Sequence, residues 1–172
     1  KGFMRNAGLF VIIGNTGTGK TNILKTLADQ AVLRGRVCLF DSRSMDMYDY
    51  RRFSEVLYVE GKKEAGIFAE ELSKELEYRR QFLKKRLCEN RGMSPKQLIE
   101  EMPFYTILID DIDDFSELTK GDSERTALLI KEGNTLGITC IVTVHAAKSR
   151  GMSTMDKLIK QAAEGLVLSS QG

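Results

Sequence analysis

The stretch Leu9–Thr21, LFVIIGNTGTGKT, leaves this chain few ways to fold. Five apolar residues in a row read as a buried strand. The turn that follows, Gly14-Asn15-Thr16-Gly17-Thr18-Gly19-Lys20-Thr21, fits G-x-x-x-x-G-K-[ST] without a mismatch. Glycines at 14, 17 and 19 permit positive φ angles, so main-chain N–H groups can turn together toward the oxygens of a phosphate chain. Lys20 supplies a point charge for the outer phosphates and Thr21 a hydroxyl for Mg²⁺. A helix beginning at this point adds its positive end. That helix is expected over Asn22–Arg34, where Leu24, Leu27, Ala28 and Ala31 share one face before Gly35 stops it.

The rest of the chain alternates apolar strands with helical stretches. Val37–Phe40 is a short strand ending in Asp41, followed by a polar segment, Ser42–Arg52, without a clear period; Val56–Val59 is a further strand candidate. Lys63–Arg91 carries Phe68, Leu72, Leu76, Leu83 and Leu87 at helical spacing. Arg79 falls in that stripe, which makes it either an arginine snorkelling at the edge of the packed face or one presented to a nucleotide or a neighbouring subunit. Ser94-Pro95-Lys96-Gln97 opens another helix with a capping box and proline at its first position. Tyr105–Ile109 is a strand ending in Asp110-Asp111, a helix is expected from about Asp122 to Glu132 with Gly133 just beyond, and Thr139–Val144 is a strand ending at His145. Ser153–Asp156 begins a last helix and Gly165–Leu168 a last strand. Continuous apolar strands separated by helices predict a mostly parallel α/β sheet covered on both faces.

At 172 residues the chain suits one domain, 1–172. Basic and acidic residues nearly balance, 26 against 24, so there is no bulk electrostatic reason to hold nucleic acid. Cys38, Cys88 and Cys140 lie far apart and form no C-x-x-C pair, which reads as reduced core cysteines of a cytosolic domain. No apolar run reaches the ~20 residues that span a bilayer. The sequence opens on Lys1 directly into fold-forming residues, as expected of a module of a longer protein.

A phosphate loop alone leaves kinases, GTPases and motor ATPases open; the second carboxylate element narrows them. Asp110, delivered by a hydrophobic strand to the edge where open α/β sheets bind ligands, is placed for Mg²⁺ in the Walker B role. Asp111 stands where additional-strand ATPases carry a residue, normally Glu, that orients or deprotonates the attacking water. It is one methylene short for that task, or else it caps the following turn. A reach deficit of ~1 Å can cost about a hundredfold, so slow hydrolysis is expected. His145, the only histidine, ends the strand expected between the two Walker strands and is either a sensor of the γ-phosphate or a structural residue. No N-K-x-D motif supports a GTPase, and no arginine-rich lid supports a small-molecule kinase.

These motifs resemble the FtsK/SpoIIIE motor ATPases over almost the whole chain. The match rests on LFVIIGNTGTGKT, CLFDSRS (38–44), Glu77-Tyr78-Arg79-Arg80 on the long helix, YTILIDDIDDF, and Gly137–His145 against the family's G-I-H-L-x-L-A-T-Q strand, with Leu168-Ser169-Ser170 at the end. The resemblance implies a RecA-like additional-strand P-loop fold of strand order 5-1-4-3-2 in the family's numbering, with the sensor strand between the Walker strands. It also implies ATP and Mg²⁺ as cofactors. Within the family, GKTN, the IDD Walker B and Val144-His145 most resemble a later ATPase module of the membrane-anchored ATPase of type VII protein secretion. The implied setting is the cytoplasmic face of a membrane. The implied partners are neighbouring ATPase domains of the same chain or of a hexamer, and secreted protein substrates.

The chain departs from the family at Asp111, at His145, at Asn134, where translocases commonly carry arginine, and at Ala146-Ala147, where they carry Arg-Pro. These departures point toward ATP binding with weak or no hydrolysis in isolation and make DNA an unlikely partner. Two other classes of function fit the same residues: an interaction module with a vestigial pocket, and a DNA translocase motor.

Overall fold

The computed structural model describes residues 8–14, 19–118 and 123–145. In chain order its elements are β1 (Leu9–Gly14), α1 (Lys20–Arg34), β2 (Gly35–Asp41), a 3₁₀ turn (Tyr48–Arg52), β3 (Val56–Glu60), α2 (Gly61–Glu89), α3 (Pro95–Glu100), β4 (Phe104–Ile109), α4 (Ile112–Leu118), α5 (Ser123–Thr135) and β5 (Ile138–His145). The five strands form one parallel sheet in the order β1-β5-β4-β2-β3. Strand β5 therefore lies between the strands that carry Gly14 and precede Asp110, as the sequence predicts, and the short Val56–Glu60 strand forms one edge. The last strand, expected at Gly165–Leu168, and the helix expected at Ser153 lie outside the described residues.

Residues alternate between the two faces of each strand, and both faces are apolar. On one, Ile12, Leu39, Leu108 and Ile141 pack against Leu24, Leu27, Ala28 and Ala31 of α1. On the other, Val11, Phe40, Ile107 and Cys140 pack against Phe68, Leu72 and Leu76 of α2, Phe115 of α4 and Ile130 of α5. Phe40, Phe68 and Phe115 meet edge to face, with ring centroids 4.8 to 6.1 Å apart. Gly35 is forced by space: a Cβ there would lie 2.2 Å from the Phe104 carbonyl oxygen across the β2–β4 pair. Among the described residues no helix is long and apolar enough to cross a membrane.

Local signals at α3 hold in full. Ser94 accepts from the Gln97 amide, Gln97 answers the Ser94 amide, and Pro95 opens the helix. Other expectations are corrected. The helix expected to end at Glu132 continues through Gly133 to Thr135. A seven-residue helix, α4, follows Asp111 where only a turn was expected. Cys38 and Cys140 are buried, flanking Ile107 on adjacent strands, but Cys88 is exposed on α2.

Arg79 is neither a snorkelling arginine nor one offered to a nucleotide. It is 2% exposed and fully engaged. Its Nε donates to Glu75 Oε2 at 3.0 Å, Nη1 to the Leu136 carbonyl at 2.9 Å, and Nη2 to the Pro103 carbonyl at 2.6 Å. Glu75, itself buried, also pairs with Arg36. The guanidinium thereby ties α2 to the segments entering β4 and β5, at the edge of the sheet opposite Asp110.

Candidate functional site

Strand register brings the candidate residues to one place. Gly14 pairs with His145 and Ile12 with Thr143 across β1–β5, while Ile109 pairs with Val142 across β4–β5. Asp110 is thus level with Thr143, and Gly14 and His145 stand two residues further out, about 7 Å along the strands. Alternation puts Thr143 and His145 on the same face as Ile141, and Asp110 on the same face as Leu108, which is the face covered by α1. The first turn of α1, with Lys20 and Thr21, begins on this side of the sheet.

The start of α1 is built to receive negative charge. Its N-cap, Gly19, takes φ 83°, ψ 15°, which glycine adopts without strain, and its carbonyl accepts the Ile23 amide at 3.0 Å. Among the described residues no side chain caps the helix and no acidic residue lies in its first turn, so its positive end is left to an anion. The Lys20 ammonium donates to the Gly14 carbonyl at 2.7 Å, which holds the charge at the tip of β1. Thr21 is half-buried on the first helical turn. Asn15, Thr16, Gly17 and Thr18 lie outside the described residues.

Asp110 is held by both oxygens. Oδ1 accepts from the Thr143 hydroxyl at 3.0 Å and Oδ2 from the Ser42 hydroxyl at 3.3 Å, while its amide donates to the Phe40 carbonyl. A carboxylate has about four acceptor sites, so each oxygen keeps one for a metal ion or a metal-bound water. Burial pushes the Asp110 carboxyl up to about 6; the carboxylates of Asp41 and Asp111 push the same way, and the two hydroxyls oppose them. A site that places a buried carboxylate among other carboxylates is relieved by a divalent cation. The residues present therefore fit Mg²⁺ and a polyphosphate.

Asp41, at the end of β2, accepts from the Tyr58 hydroxyl at 2.6 Å and the Met47 amide at 3.2 Å. Burial raises its carboxyl above the usual range as well. These bonds anchor the polar segment after β2. The Tyr50 hydroxyl, 2.6 Å from Asp29 Oδ1 and 2.9 Å from the Lys25 carbonyl oxygen, fastens the same segment to α1.

Asp111 turns back on its own chain. At φ 64° it is one of two described non-glycine residues with positive φ. Its amide donates to Thr143 Oγ1 at 2.7 Å, and its Oδ1 accepts the amides of Asp113 and Asp114 at 3.1 and 3.3 Å. It caps α4, which leaves Oδ2 to another donor. His145 is half-buried at the tip of β5, beside Gly14.

Sequence reasoning missed Thr143 and Ser42, the residues that hold Asp110. A signal existed for the first: a threonine two residues before His145, on the strand that delivers that candidate residue.

No family profile and no curated protein sequence matches the chain. Solved structures do match it. The cytoplasmic domain of EssC superposes with a TM-score of 0.79 at 19% identity, covering 95% of this chain and 32% of that one. ATPases 2 and 3 of EssC from Geobacillus thermodenitrificans give 0.72 at 18% identity, covering 98% and 30%. ATPases 2 and 3 of EccC from Thermomonospora curvata, solved with a signal sequence peptide, give 0.66 at 16% identity, covering 96% and 30%. The chain spans about a third of the length of these proteins, and at such identities the likeness is one of fold: that of a single P-loop ATPase domain from multi-ATPase chains.

Proposed function

We propose that this chain is one ATP-binding module of a type VII secretion ATPase of the FtsK/SpoIIIE kind, with weak or no hydrolysis on its own. The observation that carries the reading is Asp110, oriented by two hydroxyls at the C-terminal edge of the sheet, on the face that also carries the start of α1. Gly14, Gly17 and Gly19, with Asn15, Thr16 and Thr18, would shape the phosphate cradle. Lys20 would neutralise the β- and γ-phosphates, and Thr21 and Asp110 would hold Mg²⁺. The metal supplies charge neutralisation across the outer phosphates when bound.

Asp111 would position water and His145 would report on the γ-phosphate. Slow turnover follows from the commitment of Asp111: a short carboxylate with one oxygen capping α4 is a poor base for a water beyond it. The likeness to EssC and EccC supports neighbouring ATPase domains and secreted substrates as partners, and a cytoplasmic site beneath a membrane-anchored parent.

The test is thermal stabilisation by Mg-ATP. At a ligand concentration of 100 Kd, binding to the folded state adds about 2.7 kcal/mol. Lys20→Ala is expected to abolish that shift. An unchanged shift in the variant would refute the assignment. Absence of binding by the unmodified chain at millimolar ATP would leave an interaction module with a vestigial pocket.

A further inference from the structure

Building on the nucleotide reading above, we infer that Thr143 is a positioning residue whose single hydroxyl sets both the metal-facing carboxylate of Asp110 and the backbone of Asp111. Thr143 is 2% exposed and lies level with Asp110 on the neighbouring strand. Its Oγ1 donates to Asp110 Oδ1 at 3.0 Å and accepts from the Asp111 amide at 2.7 Å. The donor and acceptor capacities of a hydroxyl are thus used in opposite directions on consecutive residues.

The two bonds answer two separate needs. A carboxylate at the end of a strand has a freely varying final torsion, broad and roughly two-fold, so something must fix the plane in which it meets a metal. Thr143 fixes one oxygen, and Ser42, itself 2.7 Å from the Ser44 hydroxyl, fixes the other. The left-handed backbone at Asp111 is a costly conformation for a residue with a side chain. The short bond from its amide to Thr143 holds that conformation. It thereby sends the Asp111 carboxylate back over the start of α4, where it takes the amides of Asp113 and Asp114. Metal grip and the residue beside the expected water are set by one group on β5, the strand that ends at His145. A change at that tip can reach both Walker B carboxylates through two residues of strand.

Groups one shell out from a metal commonly contribute about 10- to 100-fold to its binding or to activity. The experiment compares Thr143→Val, which keeps the branched shape and removes the hydroxyl, with Thr143→Ser, which keeps the hydroxyl. ATP affinity is measured with Mg²⁺ and again with EDTA. Thr143→Val is expected to lose the Mg²⁺-dependent gain in affinity by about 10-fold or more, keep the metal-free affinity supplied by Lys20 and the loop amides, and be rescued by Thr143→Ser. Equal loss in both conditions, or a serine variant that behaves like valine, overturns the inference in favour of a packing role.

A second readout does not depend on nucleotide. Hydrogen exchange at the Asp111 amide should be slow in the unmodified chain and in Thr143→Ser and fast in Thr143→Val, without matching acceleration across β5. Failure of the unmodified chain to bind Mg-ATP would sink the nucleotide reading, while an Asp111 amide equally protected in all three proteins would sink the role of Thr143.

Discussion

Replacing Arg79 by methionine should cost this domain much of its stability while leaving the proposed nucleotide site intact. Methionine fills most of the arginine stem, so the loss isolates the guanidinium. Three oxygen partners are abandoned: the Glu75 carboxylate at 3.0 Å, the Leu136 carbonyl at 2.9 Å and the Pro103 carbonyl at 2.6 Å. Glu75 is 5% exposed and, among the described residues, retains only Arg36, whose side chain is 55% exposed. Removing one member of a buried ion pair costs about 3–5 kcal/mol, because the other is left charged in a poor solvent. Each orphaned carbonyl adds about 1 kcal/mol or more.

A loss of about 5 kcal/mol is comparable with the whole stability of many domains, about 5–15 kcal/mol. For a chain of this size it lowers Tm by roughly 10–20 °C. Urea denaturation and thermal melts measure it, and the partner variants Glu75→Met and Glu75→Met/Arg79→Met complete a cycle. Because the two residues share one network, the double variant should lose less than the sum of the singles, by about 1 kcal/mol or more. An Arg79→Met protein that melts within a few degrees of the unmodified one, or one that loses ATP binding at full stability, would refute the structural role.

Two further outcomes test the fold and the site. Gly35→Ala places a methyl 2.2 Å from the Phe104 carbonyl oxygen and 3.2 Å from Phe104 Cβ, so β2 and β4 must part. The expected loss is about 3 kcal/mol in urea denaturation, and an unchanged midpoint would show that the strands need not approach so closely. In metal-free buffer, the Asp110 carboxyl, raised by burial from 3.8 to about 6, binds a proton in the folded state that the unfolded chain has already lost. Its contribution is therefore fully present below pH 3.8 and is lost as pH rises toward 6 and beyond, a change of about 3 kcal/mol. Asp110→Asn should flatten that part of the stability profile and melt higher than the unmodified chain at pH 7. Parallel profiles for the two proteins would contradict the burial argument.

What could be read in the sequence was what is local. Apolar runs and the G-x-x-x-x-G-K-[ST] spacing declare themselves within a dozen residues, and so does the Ser94–Gln97 capping box. Failures began where a local signal had a distant cause. Gly133 looked like a helix stop, yet it sits inside α5 because the helix passes close to β5: a Cβ there would already touch Ile138 at 3.4 Å. The glycine that makes the turn is Gly137, at φ 85°. The helix α4 was hidden because its cap is an aspartate in a left-handed conformation, and nothing within IDDFSEL announces one. Arg79 kept helical spacing with Leu76 and Leu83, and spacing cannot tell a buried clamp from an exposed finger, since its carbonyl partners lie 24 and 57 residues away.

The site follows the same rule. Asp110 could be placed at a strand end from the sequence, but its orientation comes from Ser42, 68 residues earlier, and Thr143, 33 residues later. The Thr143 bonds exist only because β4 pairs with β5 in one register, opposing Ile109 to Val142, while the Ser42 bond rests on the β2–β4 register that opposes Phe40 to Ile109. A slip of one residue would turn the Thr143 hydroxyl to the α2 face and leave Asp110 and the Asp111 amide without it. Burial on both faces of the sheet fixes that register, since the same slip would also drive Thr139 and Thr143 among the α2-side apolar residues. The packing of Cys140, Val142 and Val144 is therefore what aims the carboxylate, and the precision of the site is a property of the core.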